Sequence, residues 1–132
     1  MNNEIPIELS LLIWTAALTI LQMLVSALGS ISQIGLTTLA GNRDNLTDTT
    51  GWASRAQRAH KNMLESIAVF AILVLSANLM NISNDMTVLG AQLFFWGRVA
   101  FSIIYLAGIP WVRTAAWGVS LVGLILIFIQ LI

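Results

Sequence analysis

Apolar stretches without charge alternate with short polar segments along the chain. Residues 9–42, 66–84 and 114–132 contain no Asp, Glu, Lys or Arg, and residues 86–112 contain only Arg98. Each stretch is close to or longer than the ~20 residues that a helix needs to cross the ~30 Å hydrocarbon core of a bilayer. Runs such as residues 121–129 lack the alternation of a membrane β-strand, which excludes a barrel. The pattern predicts an all-α membrane protein, one domain over residues 1–132 with four transmembrane helices at about 7–40, 55–81, 86–109 and 113–131.

Composition supports a protein solvated by lipid. Of the 132 residues, 58% are hydrophobic and 9% are charged, whereas an ordinary soluble domain has roughly 25% charged residues. A soluble enzyme is therefore excluded. The net charge is zero, which gives no indication of a nucleic-acid partner. The chain has no cysteine and one histidine, so we expect no metal site, and any thiol chemistry requires a thiol brought by a ligand.

The basic residues predict the orientation in the membrane. The connection between the first two predicted helices, together with the start of the second, carries Arg43, Arg55, Arg58 and Lys61. The break between the third and fourth helices carries Arg113. The N-terminus, the second connection and the C-terminus carry none. The positive-inside rule then places the basic loops in the cytoplasm and both termini in the periplasm of a bacterial inner membrane. We expect no cleaved signal peptide, because the first eight residues contain no basic side chain.

The second predicted helix starts with a stripe of polar residues along one face. Arg55, Arg58, Asn62 and Glu65 follow steps of three, four and three residues, so they lie within roughly 80° of one helical face. One interpretation is an interfacial helix end with snorkelling arginines and a paired glutamate. The other is a ligand site, because an unpaired carboxylate at this depth is costly. His60 lies off this stripe and is interpreted as an interfacial or surface histidine.

Arg98 is the second unusual residue, because its position predicts a guanidinium near the middle of the bilayer. A lipid-facing arginine there costs ~2.5–3.5 kcal/mol or more, so Arg98 is expected to face the bundle interior. Phe101, Ser102 and Tyr105 share its helical face. Arg98 either forms a structural pair with Glu65 or contacts a ligand. Tyr105 is either a ligand contact or an interfacial tyrosine.

These residues in this order resemble the MAPEG family, the membrane-associated proteins of eicosanoid and glutathione metabolism. The matching features are Arg-Ala-His-Lys-Asn-Met-Leu-Glu at 58–65, Arg98, Tyr105, Gly-Ile-Pro at 108–110, and Arg113-Thr114. The resemblance implies a homotrimer that binds glutathione between neighbouring subunits, near the cytoplasmic leaflet. It also implies a hydrophobic small-molecule electrophile as the second substrate.

The resemblance also assigns roles to individual residues. It implies that Arg58, Asn62 and Glu65 hold the charged and amide groups of glutathione. Arg55 lies on the same stripe and is a further candidate for binding it. Tyr105 matches a tyrosine that contacts the tripeptide, and Arg98 matches a buried arginine of the third helix. The arginine that stabilises the thiolate corresponds to Arg113, and Thr114 stands where some members have a serine hydroxyl.

The predicted function is that of a membrane-bound glutathione-dependent transferase or peroxidase. It would activate the glutathione thiol as a thiolate for attack on a lipophilic electrophile or hydroperoxide. One alternative is a noncatalytic membrane or ligand-binding subunit. Another is a small multidrug transporter, which would need a carboxylate deep in the first helix for proton coupling, and residues 9–42 contain none.

Overall fold

The computed structural model describes residues 4–44 and 46–132, which form an all-helical fold. The helices are α1 (Ile7–Ile34), α2 (Leu36–Ala40), α3 (Gly51–Leu79), α4 (Asp85–Ala107) and α5 (Pro110–Leu131). Of these, α1, α3, α4 and α5 are long and apolar enough to cross a membrane. The prediction of an all-α protein with four membrane-length helices is confirmed.

The helix boundaries differ from the predicted ones, among them the end of the first long helix and the start of the last. The first helix ends at Ile34 rather than near residue 40, because Gly35 has a φ of 98°, a value that interrupts the helix and that glycine tolerates. The short α2 follows. The helix α5 begins at Pro110 rather than 113, since proline is well suited to the first turn of a helix.

Small residues bring α4 and α5 close together. A Cβ atom added to Gly90 would lie 2.6 Å from the carbonyl oxygen of Gly123, and one added to Gly97 would lie 3.0 Å from the amide nitrogen of Ser120. Small residues at helix interfaces are typical of membrane proteins, where dispersion contacts drive helix association. Phe70 of α3 stacks on Phe94 of α4, with 4.1 Å between ring centroids, and joins α3 to this pair.

Glutamine side chains attach α1 to its neighbours. The amide of Gln22 donates to the Ser102 hydroxyl of α4 at 2.5 Å. Near the other end of α1, Gln33 exchanges two hydrogen bonds of 2.8 Å with the backbone of Thr50, immediately before α3. These bonds connect α1 to α4 and to the residue before α3, and hydrogen bonds of this kind stabilise helix association in a membrane.

The two ends of the bundle differ in their basic side chains. We call the end that contains Arg55, Arg58 and Arg113 the basic end; α3 and α5 begin there and α4 finishes there. The opposite end contains Glu8 near the start of α1 and Asp85 at the start of α4, and we call it the acidic end. The candidate site lies towards the basic end.

Candidate functional site

Tyr105, near the end of α4, contacts arginines from two other helices. The Nε atom of Arg58 in α3 donates to the tyrosine oxygen at 3.1 Å. The guanidinium carbon of Arg113 in α5 lies 4.5 Å from the centroid of the tyrosine ring. We call these three residues the arginine–tyrosine cluster. Its two cations repel each other, so a bound anion would be attracted by both.

Two further side chains hold the cluster in place. The Nη1 atom of Arg58 donates to the Ser54 hydroxyl, one helical turn earlier, at 2.6 Å. The Nε atom of Arg55 donates to the Leu106 carbonyl at 3.0 Å, which satisfies a backbone acceptor at the end of α4. Ser54 was not among the predicted site residues, although its spacing of four from Arg58 is the signal for such a contact. The Nε atom of Arg55 is thus used for helix capping.

Arg98 lies in the interior of the bundle, as its position predicts. Its relative exposure is 0%, and its guanidinium carbon is 4.3 Å from the centroid of the Phe101 ring. That ring meets Tyr105 edge-on at a centroid distance of 5.3 Å, which connects Arg98 to the cluster. In the described part of the chain, none of the three guanidinium nitrogens has a hydrogen-bond partner. A buried cation without a partner is unfavourable, so this position favours an anionic or hydrogen-bond-accepting ligand.

The hypothesis of an ion pair between Glu65 and Arg98 is wrong for the single subunit. Glu65 is exposed, and the guanidinium of Arg98 has no hydrogen-bond partner within residues 4–44 and 46–132. The reason is helix rotation: Glu65 follows the fully buried Met63 by two residues, so it points roughly 200° around the helix from the packed side. Glu65 instead shares the exposed side of α3 with Arg58.

Two buried polar atoms of α3 near this region have no hydrogen-bond partner among the described residues. They are Oδ1 of Asn62, which was predicted to be a ligand contact, and Nδ1 of His60. His60 is half-buried in the single subunit, and its interpretation as an interfacial or surface histidine stays a prediction. Sequence spacing gave no signal for this burial, because the direction of the packed side of α3 depends on its neighbours.

Thr114 differs from the other predicted site residues. It is exposed, and its hydroxyl donates to the Pro110 carbonyl of its own helix at 3.3 Å. As for metals, the described residues contain no group of three or more His, Cys, Asp or Glu side chains suited to hold an ion. The side chains gathered at the site include arginines, which bind carboxylates and stabilise anions.

Comparison with known proteins gives one match. Searches of curated proteins and of solved structures found nothing similar to this chain. A comparison with protein-family models matches residues 11–132 to the MAPEG family. Because this match covers nearly the whole sequence and includes every residue of the candidate site, the chain belongs to the MAPEG family.

Proposed function

We propose that this chain is a membrane-bound, glutathione-dependent transferase or peroxidase. It binds glutathione towards the basic end of the bundle and stabilises its thiolate. The thiolate then attacks a lipophilic electrophile or a hydroperoxide. The observation that carries the proposal is the arginine–tyrosine cluster, in which cations from α3 and α5 converge on the phenol of α4. Membership of the MAPEG family supports the glutathione assignment.

The side chains suit the chemical groups of the tripeptide. Glutathione carries two carboxylates, one ammonium, two amides and one thiol. Arg58 offers guanidinium donors that match a carboxylate, and the unpartnered Oδ1 of Asn62 can accept from an amide. The exposed carboxylate of Glu65 suits the ammonium group. Arg98 supplies a further cation whose three nitrogens have no partner among the described residues.

Arg113 is the residue proposed to act on the sulfur. A thiol with a reference pKa of ~8.5 is mostly protonated at neutral pH, and each unit by which a cation lowers that pKa stabilises the thiolate by ~1.36 kcal/mol. A guanidinium keeps its charge throughout this range, so it attracts the anion without exchanging a proton. The neighbouring Tyr105 hydroxyl has one proton to donate, and Thr114 is the weaker second hydroxyl.

An apolar groove offers a place for the second substrate. It has a volume of about 240 Å³ and lies between α1, α3 and α4, with walls that include Leu18, Val25, Val99 and Ile103. Gln22 and Ser102 also line it, and the Ser102 hydroxyl donates to the carbonyl of Arg98 at 2.8 Å. A lipophilic electrophile that partitions into the bilayer suits such a lining.

The proposed function predicts that glutathione binding produces a thiolate. Purified protein titrated with glutathione near neutral pH should show saturable binding accompanied by the ultraviolet absorbance of a thiolate, because the site lowers the thiol pKa. S-methylglutathione is the control, since it retains the binding groups and has no ionisable thiol.

Binding without a thiolate signal would favour the second candidate, a noncatalytic ligand-binding subunit. Two contacts favour that candidate: Arg113 already stacks on Tyr105, and the Thr114 hydroxyl is bonded to its own helix. Absence of glutathione binding would contradict both candidates.

We also propose that the chain lies in a bacterial inner membrane with its basic end in the cytoplasm and its acidic end in the periplasm. The four apolar helices and the family support an integral membrane protein. The asymmetry of the arginine and lysine residues supports this orientation. Glutathione would then reach the site from the cytoplasmic side.

The proposed assembly is a homotrimer, and the mass in mild detergent tests it. Glu65 lies within a membrane-length helix yet is exposed in the single chain, and an exposed carboxylate in lipid is costly unless a neighbouring subunit or a ligand covers it. Small and polar residues on α1, including Ser26, permit close helix approach. Native mass spectrometry should give three copies per particle, and a monomer or dimer would contradict the proposal.

A further inference from the structure

Glu8, at the acidic end, is a buried carboxylate that the proposed function does not use. Its relative exposure is 3%. The Thr87 hydroxyl of α4 donates to its Oε2 atom at 3.0 Å. The other oxygen, Oε1, is also buried, and no atom of the described residues hydrogen-bonds to it. Only one of the two carboxylate oxygens of Glu8 therefore has a hydrogen-bond partner among the described residues.

No positive side chain compensates Glu8 in the described part of the chain. At the acidic end the ionisable side chains of residues 4–44 and 46–132 are all carboxylates, namely Glu4, Glu8 and Asp85. The nearest basic residue along α4 is Arg98, eleven residues after Thr87, or roughly 16 Å along the helix axis. Burying a carboxylate without a counter-charge is costly, so a cation bound from solution or from the lipid would stabilise this end of the bundle.

A cavity adjoins the carboxylate. It has a volume of about 200 Å³, and its polar walls are Glu8 together with Asn78, Asn81 and Ser83, which end or follow α3. Val74, Ala77 and Leu9 form apolar parts of the wall. The volume is several times the ~30 Å³ that one water molecule occupies. It therefore suits a small organic cation with a short carbon stem better than a single metal ion.

We infer that this cavity binds a primary ammonium group, with the carboxylate of Glu8 as its counter-charge. A primary ammonium has three N–H donors, and the side chains of Glu8, Asn78, Asn81 and Ser83, which line the cavity, all carry oxygen acceptors. A quaternary ammonium has no N–H donor and cannot form these hydrogen bonds. Because the cavity lies at the end of membrane-length helices, the ammonium could belong to a free amine or to a phospholipid with an ethanolamine head group. The inference does not depend on glutathione.

The test compares ethanolamine with choline and uses a matched pair of variants. Ethanolamine should raise the thermal stability of the detergent-solubilised protein in a saturable manner, and choline should not. Glu8→Gln should weaken ethanolamine binding by about tenfold or more, since it removes the charge and keeps the shape. Asp85→Asn removes an exposed carboxylate at the same end and should change the affinity by less than about twofold.

A second variant keeps the inference testable if Glu8→Gln fails to fold. Asn81 has a φ of 58°, a value that glycine adopts without strain, so Asn81→Gly removes the side chain from the cavity and preserves the turn. We expect ethanolamine affinity to fall about threefold or more in this variant. Unchanged affinity in a folded Glu8→Gln would overturn the inference, and so would unchanged affinity in Asn81→Gly if Glu8→Gln does not fold.

Lipid nanodiscs distinguish the two sources of the amine. Native mass spectrometry should show phosphatidylethanolamine retained over phosphatidylcholine if a head group occupies the cavity, and this preference should be lost in Glu8→Gln. Binding of free ethanolamine without selective lipid retention would identify a soluble amine. If the wild-type protein binds neither free ethanolamine nor phosphatidylethanolamine, the inference is wrong.

Discussion

Replacing Arg113 with alanine is expected to lower turnover with a lipophilic electrophile by about ten- to a hundredfold and to leave glutathione affinity nearly unchanged. The guanidinium of Arg113 lies 4.5 Å from the centroid of the Tyr105 ring, and the proposal places the glutathione sulfur beside it. Without this cation the pKa of the bound thiol rises towards its reference value of ~8.5. The rate should then reach its plateau at a higher pH than in the wild type. Turnover, binding and thiolate absorbance, each measured across pH, check this expectation.

Two variants serve as references for Arg113→Ala. Thr114→Ala changes the next residue, whose exposed hydroxyl donates only to the backbone of its own helix, so it should retain most activity. Arg58→Ala should mainly raise the dissociation constant for glutathione, because a carboxylate contact is present in both ground and transition states. Full thiolate signal and turnover in Arg113→Ala would make Arg113 a membrane anchor. Normal binding in Arg58→Ala would make the cluster structural.

The four long helices were predictable because charge is excluded from hydrocarbon regardless of how the helices pack. The interruption at Gly35 was not predictable, because glycine is common within membrane helices and hydropathy is insensitive to backbone torsion. Residues 9–42 form one uncharged stretch, yet a φ of 98° ends α1 after Ile34. Length and apolar character therefore predicted the presence of the helix and not where it stops.

In the candidate site, the sequence predicted which side chains avoid lipid but not which side of a helix packs against its neighbours. Arg98 was correctly assigned to the interior, because the cost of exposing an arginine to lipid holds for any arrangement of helices. Glu65 was wrongly predicted to be its partner within the subunit. Residue spacing orders side chains around one helix and does not reveal which side faces the neighbouring helix. Glu8 illustrates a further limit: it precedes the uncharged stretch in sequence, and only the packing of α1 against α4 buries it.

Replacing Gly90 with alanine is expected to destabilise the bundle by ~2–3 kcal/mol. The new Cβ atom would lie 2.6 Å from the carbonyl oxygen of Gly123 and 2.8 Å from Cγ1 of Ile127, whereas nonbonded carbon atoms prefer ~3.5–4.0 Å. The Ile127 side chain can adjust, but the Gly123 carbonyl belongs to the backbone of α5 and cannot rotate away. The two helices must therefore separate, which lowers the midpoint of thermal unfolding in detergent.

Gly118→Ala is the matched control, because it makes the same substitution in the other helix of this pair without a close contact. A Cβ atom added to Gly118 meets nothing within 4 Å in the described structure. Alanine also has a higher helix propensity than glycine, by ~1 kcal/mol, so this variant should unfold at the wild-type temperature or slightly above it. If Gly90→Ala proved as stable as Gly118→Ala, α4 and α5 would not approach as closely as the structure shows. Because α4 and α5 carry Tyr105 and Arg113, such a result would also remove the geometric basis of the arginine–tyrosine cluster.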